Sequence, residues 1–308
     1  MPNWGDISLE IQKVAAERKI KIEQAAALVR GRHLAALREK TGRNLIAYYS
    51  GWLSKPLAYG MEINDEDKNG FMLAVHKMDR SRGLDLILHT PGGDIASTQS
   101  IVSYLHQLFG NDLRAIVPQI AMSAGTIIAC SCRQILMGKQ SNLGPIDPQV
   151  RGVPAYGVIR EFRDACKQVK RDPASTPLWQ VIVGKYHPTF LGQCENAIKW
   201  SNAFVKEQLE SVMFEGKSDA DKIADRIAKK LSDYAHNKTH SRHIHTDECE
   251  KMGLNVVRIE SDQKLQDLIL TVHHCYMHAL ANTGCIKIIE NHSGVGILKA
   301  LATGIPQQ

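Results

Sequence analysis

Long apolar runs are missing from this chain: no stretch approaches the roughly 18 consecutive apolar residues of a membrane-spanning helix, so no membrane span is expected. Blocks of like charge are missing too. The formal charge of +6 arises from 38 Lys and Arg against 32 Asp and Glu scattered along the sequence, which reads as a mixed solvated surface and not as a nucleic-acid groove. No nucleic-acid motif accompanies the charge, so no nucleic-acid partner is expected. Internal repeats and low-complexity tracts are also absent, and a repeat architecture is not expected. The seven cysteines are odd in number, and MPNWGDISLE has early acids and no apolar core of a secretory leader. Reduced thiols and a cytoplasmic location are the expectation. With 44% hydrophobic residues, the chain can bury a substantial core.

Residues 6–40 carry apolar positions at helical spacing, among them Ile11, Val14, Ala15, Ala25, Ala26, Val29, Leu34 and Leu37. They predict a helical N-terminal arm over residues 1–42, ended by Gly42. NLIAYY, from Asn44, reads as a first strand. The sharpest pattern follows: the apolar run LDLILH, the turn TPGGD, a helix with Ile101, Val102, Leu105, Leu108 and Phe109 on one side, and Gly110 as a stop. A strand LRAIVP, a Ser-Ala-Gly turn, a small-residue helix from Ala124 to about residue 132 and a strand RQILM come next. This alternation predicts an α/β fold with a parallel sheet. After Pro148 the pattern turns helical at 158–169, 190–210 and 219–233, and the loop HNKTHSRHIH interrupts it. Residues 248–252 with Gly253 predict a short helix and its stop, and VVRIE a closing strand. Leu265, Ile269, Val272 and Tyr276 trace a last long helix. The expected organisation is a catalytic domain over 43–260 and a helical C-terminal extension over 261–308.

In PQIAMSAGT, Ser123 follows a strand and opens a helix, with small neighbours Ala121, Ala124 and Gly125. A helix N-terminus offers unpaired N–H groups and partial positive charge, so an oxyanion formed by attack of Ser123 can be held by the Ala124 N–H. Taken alone, the same serine also reads as an ordinary N-cap. HTPGGD adds paired glycines, Gly92 and Gly93, whose backbone can approach a ligand closely. Gly93 can donate a second oxyanion N–H, and the loop can hydrogen-bond an extended peptide. Taken alone, this too is a plain turn. Two such turns at the C-terminal ends of neighbouring strands stand where α/β sheets bind ligands.

HTPGGD, AMSAGT and SNLGPIDPQ, in that order, resemble the serine dehydrogenase proteinase family, distant relatives of the Clp protease proteolytic subunit and the signal-peptide peptidase A group. The resemblance runs from about Leu45 to the region of Glu290, and HIHTDECEKMGL is similar to the helix-and-glycine closure of the Clp/crotonase fold. It implies a Clp/crotonase-like ββα superhelix, Ser123 as nucleophile, oxyanion donors at Gly93 and Ala124, a peptide or protein substrate and no cofactor. It further implies a triad in the chain order Ser, Asp, His. Asp147, 24 residues after Ser123, takes the second place, and His240 in THSRHIH the third.

Asp147 also suits a cap of the turn Pro145-Ile146-Asp147-Pro148. His187, His243 and His245 stand as rival bases, and Lys185 or Lys199 would serve a Ser-Lys dyad. The histidines of the 240–245 loop and the pair His274 and His278 have weak metal spacing, without the Glu of a helical zinc motif, so no metal is expected. Because members of this fold class pack through flanking helices, a closed homo-oligomer is expected. Two other readings are an acyl-CoA hydratase or isomerase of the crotonase branch and a catalytically silent adaptor of the same fold.

Overall fold

The computed structural model describes residues 3–233 and 237–301. The N-terminal arm is helical but broken: α1 (Trp4–Arg18) ends at Lys19, whose φ of 54° turns the chain before α2 (Ile22–Thr41). No glycine or proline marks that break in the sequence. Gly42 ends α2 in the left-handed conformation, as its position predicts.

β1 (Asn44–Ser50), α3 (Asp67–Ala74), β2 (Leu84–His89), α4 (Ile95–Phe109), β3 (Leu113–Val117), β4 (Ile120–Ala121), α5 (Ala124–Cys130) and β5 (Gln134–Met137) follow in chain order. Then come β6 (Asn142–Leu143), β7 (Gln149–Val150), β8 (Val153–Pro154), α6 (Ala155–Arg171), α7 (Thr176–Val183), α8 (Phe190–Gln208) and α9 (Ala220–Ser232). The described chain closes with β9 (Ile244–His245), α10 (Thr246–Met252), β10 (Val256–Arg258), α11 (Gln263–Asn282), β11 (Cys285–Asn291) and β12 (Gly296–Ala300).

The fold is mixed α/β, with a central seven-stranded sheet in the order β10-β5-β3-β2-β1-β11-β12. The first five strands of that order run parallel; β11 pairs antiparallel with β1, and β12 with β11. Every residue of β1 and β2 is buried, the signature of strands covered on both faces. Period-2 alternation sends Ile46, Tyr48, Leu86 and Leu88 into a core shared with α4, α5, α8 and α9. Leu45, Ala47, Tyr49 and Ile87 point the other way, against α2 and α11. At the start of β2 the fully buried Asp85 carboxylate accepts from Arg43 and Arg114, the pairing that a buried charge requires.

The region after residue 260, expected to be helical throughout, also contains β11 and β12. Lys287, Glu290 and Asn291 interrupt the apolar pattern of β11, yet all three are buried, because each finds a polar partner inside. Glu290 accepts from Arg30 of α2 and Tyr276 of α11, which ties the N-terminal arm to the sheet.

His89, the last residue of β2, lies on the α11 face, with ring centroids 5.3 Å from Tyr49, 4.4 Å from Trp52 and 5.5 Å from His273. Burial lowers its pKa from the ordinary 6.5 to about 4, against the opposing pull of hydrogen bonds to Gln119 and Ser50. Burial also drives His273 well below its ordinary value. Because the folded pKa lies below the unfolded one, the unfolded chain takes up the proton first as pH falls. Stability is therefore expected to be full above the ordinary 6.5 and to drop as pH falls toward about 4, by about 3 kcal/mol from His89 alone. Denaturant titrations across that window measure it, and a flat profile would contradict the neutral, buried histidine.

Candidate active site

The two glycine-rich turns meet at the C-terminal end of the sheet. Thr90 and Ala121 form a parallel bridge, in which the Thr90 N–H donates to Ile120 O at 3.2 Å and the Met122 N–H to Thr90 O at 3.0 Å. The bridge sets Gly92 against Ser123. A Cβ on Gly92 would lie 2.6 Å from the Ser123 Cβ and 2.8 Å from the Met122 carbonyl oxygen, and the residue's φ of 102° disfavours any side chain. Gly93 is closed off similarly: its missing Cβ would stand 2.3 Å from both the N and O of Ile63.

Ser123 caps α5 with φ 50° and ψ −114°, outside the regions open to ordinary L-residues. Its side chain does not cap the helix; the hydroxyl makes no hydrogen bond among the described residues. The plain N-cap role is therefore not the one it plays. The Ala124 N–H opens α5 and has no intrahelical acceptor, and the Gly93 N–H finds no acceptor among the described residues. Two donors thus stand free beside the serine.

Gly92, Gly93, Ser123, Ala124 and His240 line one cavity of about 320 Å³. His240 comes from the loop before β9, and β9 brings it there by pairing antiparallel with β6, Asn142 opposite His245. Ile244 is buried between exposed His243 and His245, so the alternation of a strand fixes which face each takes. Arg242 braces the loop from within, donating to Asn237 Oδ1 at 3.0 Å and to the Glu248 carboxylate at 2.8 and 3.0 Å.

Asp147 lies behind His240, 1% exposed, and its Oδ1 is 3.0 Å from His240 Nδ1. A carboxylate only accepts, so Nδ1 carries the proton and Nε2 is left as an acceptor. Neither Asp147 oxygen accepts a backbone N–H of its own turn, and Oδ2 has no partner among the described residues. The turn is held instead by Ser201 of α8, donating to Ile146 O at 3.0 Å, and by Thr126 of α5, bonded to both the N–H and the carbonyl of Gly144 at 2.9 Å.

The rival residues stand elsewhere. His187, His243, His245, Lys185 and Lys199 are exposed, and none lines this cavity. Among the described residues the two histidine groups do not converge: the His278 ring meets that of Trp4 at a tilt of 39° with centroids 5.5 Å apart, and His274 has a ring contact with His273. Sequence reasoning missed the segment at Glu62 and Ile63, which lies along the Gly92 and Gly93 loop, and the α8 residues Ala197 and Ser201 in the cavity wall. Ser201 sits on the buried stripe of α8 with Phe204 and Val205, and a serine on such a stripe was the one signal available.

A serine on a strained strand-to-helix turn with free N–H groups beside it is an arrangement of serine hydrolases. The family model for ClpP-like SDH-type serine proteinases matches residues 16–277, and the chain belongs to that family. It is similar to two uncharacterized proteins of Methanocaldococcus jannaschii. One is 27% identical over 229 residues, 74% of this chain and 70% of the relative. The other is 28% identical over 194 residues, 63% of this chain and 59% of the relative. No helix among the described residues is long and apolar enough to cross a membrane.

If the backbone at Ser123 is strained, Ser123→Gly should relax it where Ser123→Ala cannot. The glycine variant is expected to be more stable than the alanine variant by about 1 kcal/mol, strain relief exceeding the flexibility that glycine gives the unfolded chain. Denaturation midpoints compare the two, and a less stable glycine variant would rule the strain out.

Proposed function

We propose that the protein is a serine peptidase that hydrolyses peptide bonds through an acyl-enzyme on Ser123. The observation that carries this reading is the shared cavity: a strained serine with two free N–H donors at its side, and a histidine whose Nδ1 is fixed on a buried carboxylate. In the proposed cycle Ser123 Oγ attacks the scissile carbonyl and passes its proton to His240 Nε2. The tetrahedral oxyanion accepts from the Gly93 and Ala124 N–H groups. Collapse breaks the C–N bond, and His240 gives the proton to the departing amine. Water then attacks the ester, returns a proton to His240 Nε2, and collapse releases the acid as Ser123 recovers its hydrogen. Asp147 keeps the imidazole in the productive tautomer throughout.

A hydratase of the crotonase branch needs no nucleophile at this turn, so the conformation of Ser123 favours the peptidase. A Clp/crotonase-like ββα superhelix, a closed homo-oligomer, peptide or protein substrates and a cytoplasmic setting complete the proposal.

The triad is tested by steady-state hydrolysis of fluorogenic peptides. His240→Ala and Asp147→Asn should each lower kcat by about 10³-fold or more, and the double variant should lose little beyond the worse single one, since triad members act as a unit. Near-normal turnover in Asp147→Asn would reduce Asp147 to a structural residue, and near-normal turnover in His240→Ala would remove the proposed base.

A further inference from the structure

Lys287 is fully buried on β11, beyond the region that the family model matches. Its ammonium donates to both oxygens of the equally buried Asp67 at 2.9 Å and to the Glu62 carbonyl at 2.8 Å. Asp67 also accepts from the Tyr48 hydroxyl at 2.8 Å and from the Asn64 N–H at 3.1 Å. A salt bridge this deep contributes little net stability, because the desolvation of both charges offsets their attraction. Its partners suggest another use.

The Glu62 carbonyl and the Ile63 N–H belong to one peptide unit. That N–H donates to Gly92 O at 2.8 Å, and the Gly92 carbonyl shares its own peptide unit with the Gly93 N–H. A continuous chain therefore runs from the Lys287 ammonium through two peptide units to the free Gly93 N–H. Each link polarises the next in the same sense, making the terminal N–H a stronger donor. The Asp94 N–H, donating to Ile63 O at 2.9 Å, and the Ser50 hydroxyl, donating to Met61 O at 2.8 Å, lock the segment on either side. With Gly93 packed on the Ile63 backbone at contact distance, a shift of Ile63 moves Gly93 with it.

We propose that Lys287 is a positioning residue for the oxyanion hole: its ammonium heads the hydrogen-bond chain through the Glu62-Ile63 and Gly92-Gly93 peptide units that orients and polarises the Gly93 N–H. The proposal rests on the oxyanion role given to Gly93 above. Asp67 keeps the ammonium charged against the pull of burial, which lowers its pKa, and Tyr48 and Asn64 fix the carboxylate. The interaction is made with a group that works only on the tetrahedral species, so its loss should appear in kcat and not in substrate binding.

The test compares wild type, Lys287→Met and the charge-balanced Lys287→Met/Asp67→Asn, which spares the fold a buried carboxylate whose remaining cation is Lys299, 3.4 Å away. Hydrolysis of p-nitrophenyl butyrate is measured per active site titrated with a fluorophosphonate, alongside inhibition by phenylboronic acid, which forms a tetrahedral adduct on serine. Both variants should lose about 10-fold or more in kcat per active site with KM within about 3-fold, and phenylboronic acid inhibition should weaken in parallel. Lys287→Gln, which keeps a donor for the Glu62 carbonyl, should fall between. Unchanged kcat and unchanged boronate inhibition per active site, whatever the loss of stability, would overturn this proposal alone. A wild type that does not react at Ser123 would overturn the peptidase reading and this proposal with it.

Discussion

No methyl group fits between Gly92 and the Ser123 turn. Two strand-to-helix connections from neighbouring parts of the sheet meet there backbone to backbone, and a third segment, at Ile63, closes on Gly93 from the other side. The geometry of the site follows from this contact. Because the chains touch without side chains between them, Gly93, Ser123 and Ala124 line the same cavity. The parallel order of β1, β2, β3 and β5 places both turns at the same end of the sheet.

Ser123 in turn occupies a backbone conformation that costs about 1–3 kcal/mol for a residue with a side chain. The surroundings impose it: Thr126 ties α5 to the Gly144 turn, and the Gly125 N–H closes on Met122 O at 2.7 Å. His240 and Asp147 arrive from chain segments far apart in sequence, joined through the small sheet of β4, β6 and β9. That sheet, two residues per strand, gives each arriving loop a fixed register beside the strained serine.

The sequence made the central alternation legible because its strands are short, mostly apolar and separated by glycine-containing turns, and β1, β2, β3 and β5 lie where the pattern predicts them. Ser123, Gly92, Gly93 and Ala124 were readable for the same reason, being placed by local turns. The break at Lys19 was not, since a lysine carries no signal for the left-handed conformation it adopts. β11 was missed because Lys287, Glu290 and Asn291 look exposed until partners distant in sequence, Asp67, Arg30 and Ala74, are brought to them by tertiary packing. The same limit hid Glu62 and Ile63, whose importance lies in their peptide group and not in their side chains. Asp147 and His240 could be singled out only through a family resemblance; their 3.0 Å contact spans 93 residues of chain, and no local spacing encodes it.

The proposed peptidase mechanism requires Ser123 to be a nucleophile whose proton His240 accepts. Intact-protein and peptide mass spectrometry after treatment with a fluorophosphonate measures this directly. One adduct per chain is expected, mapped to Ser123, and its rate of formation is expected to be nearly abolished in His240→Ala. An adduct on another residue, or labelling of Ser123 at the same rate without His240, would contradict it.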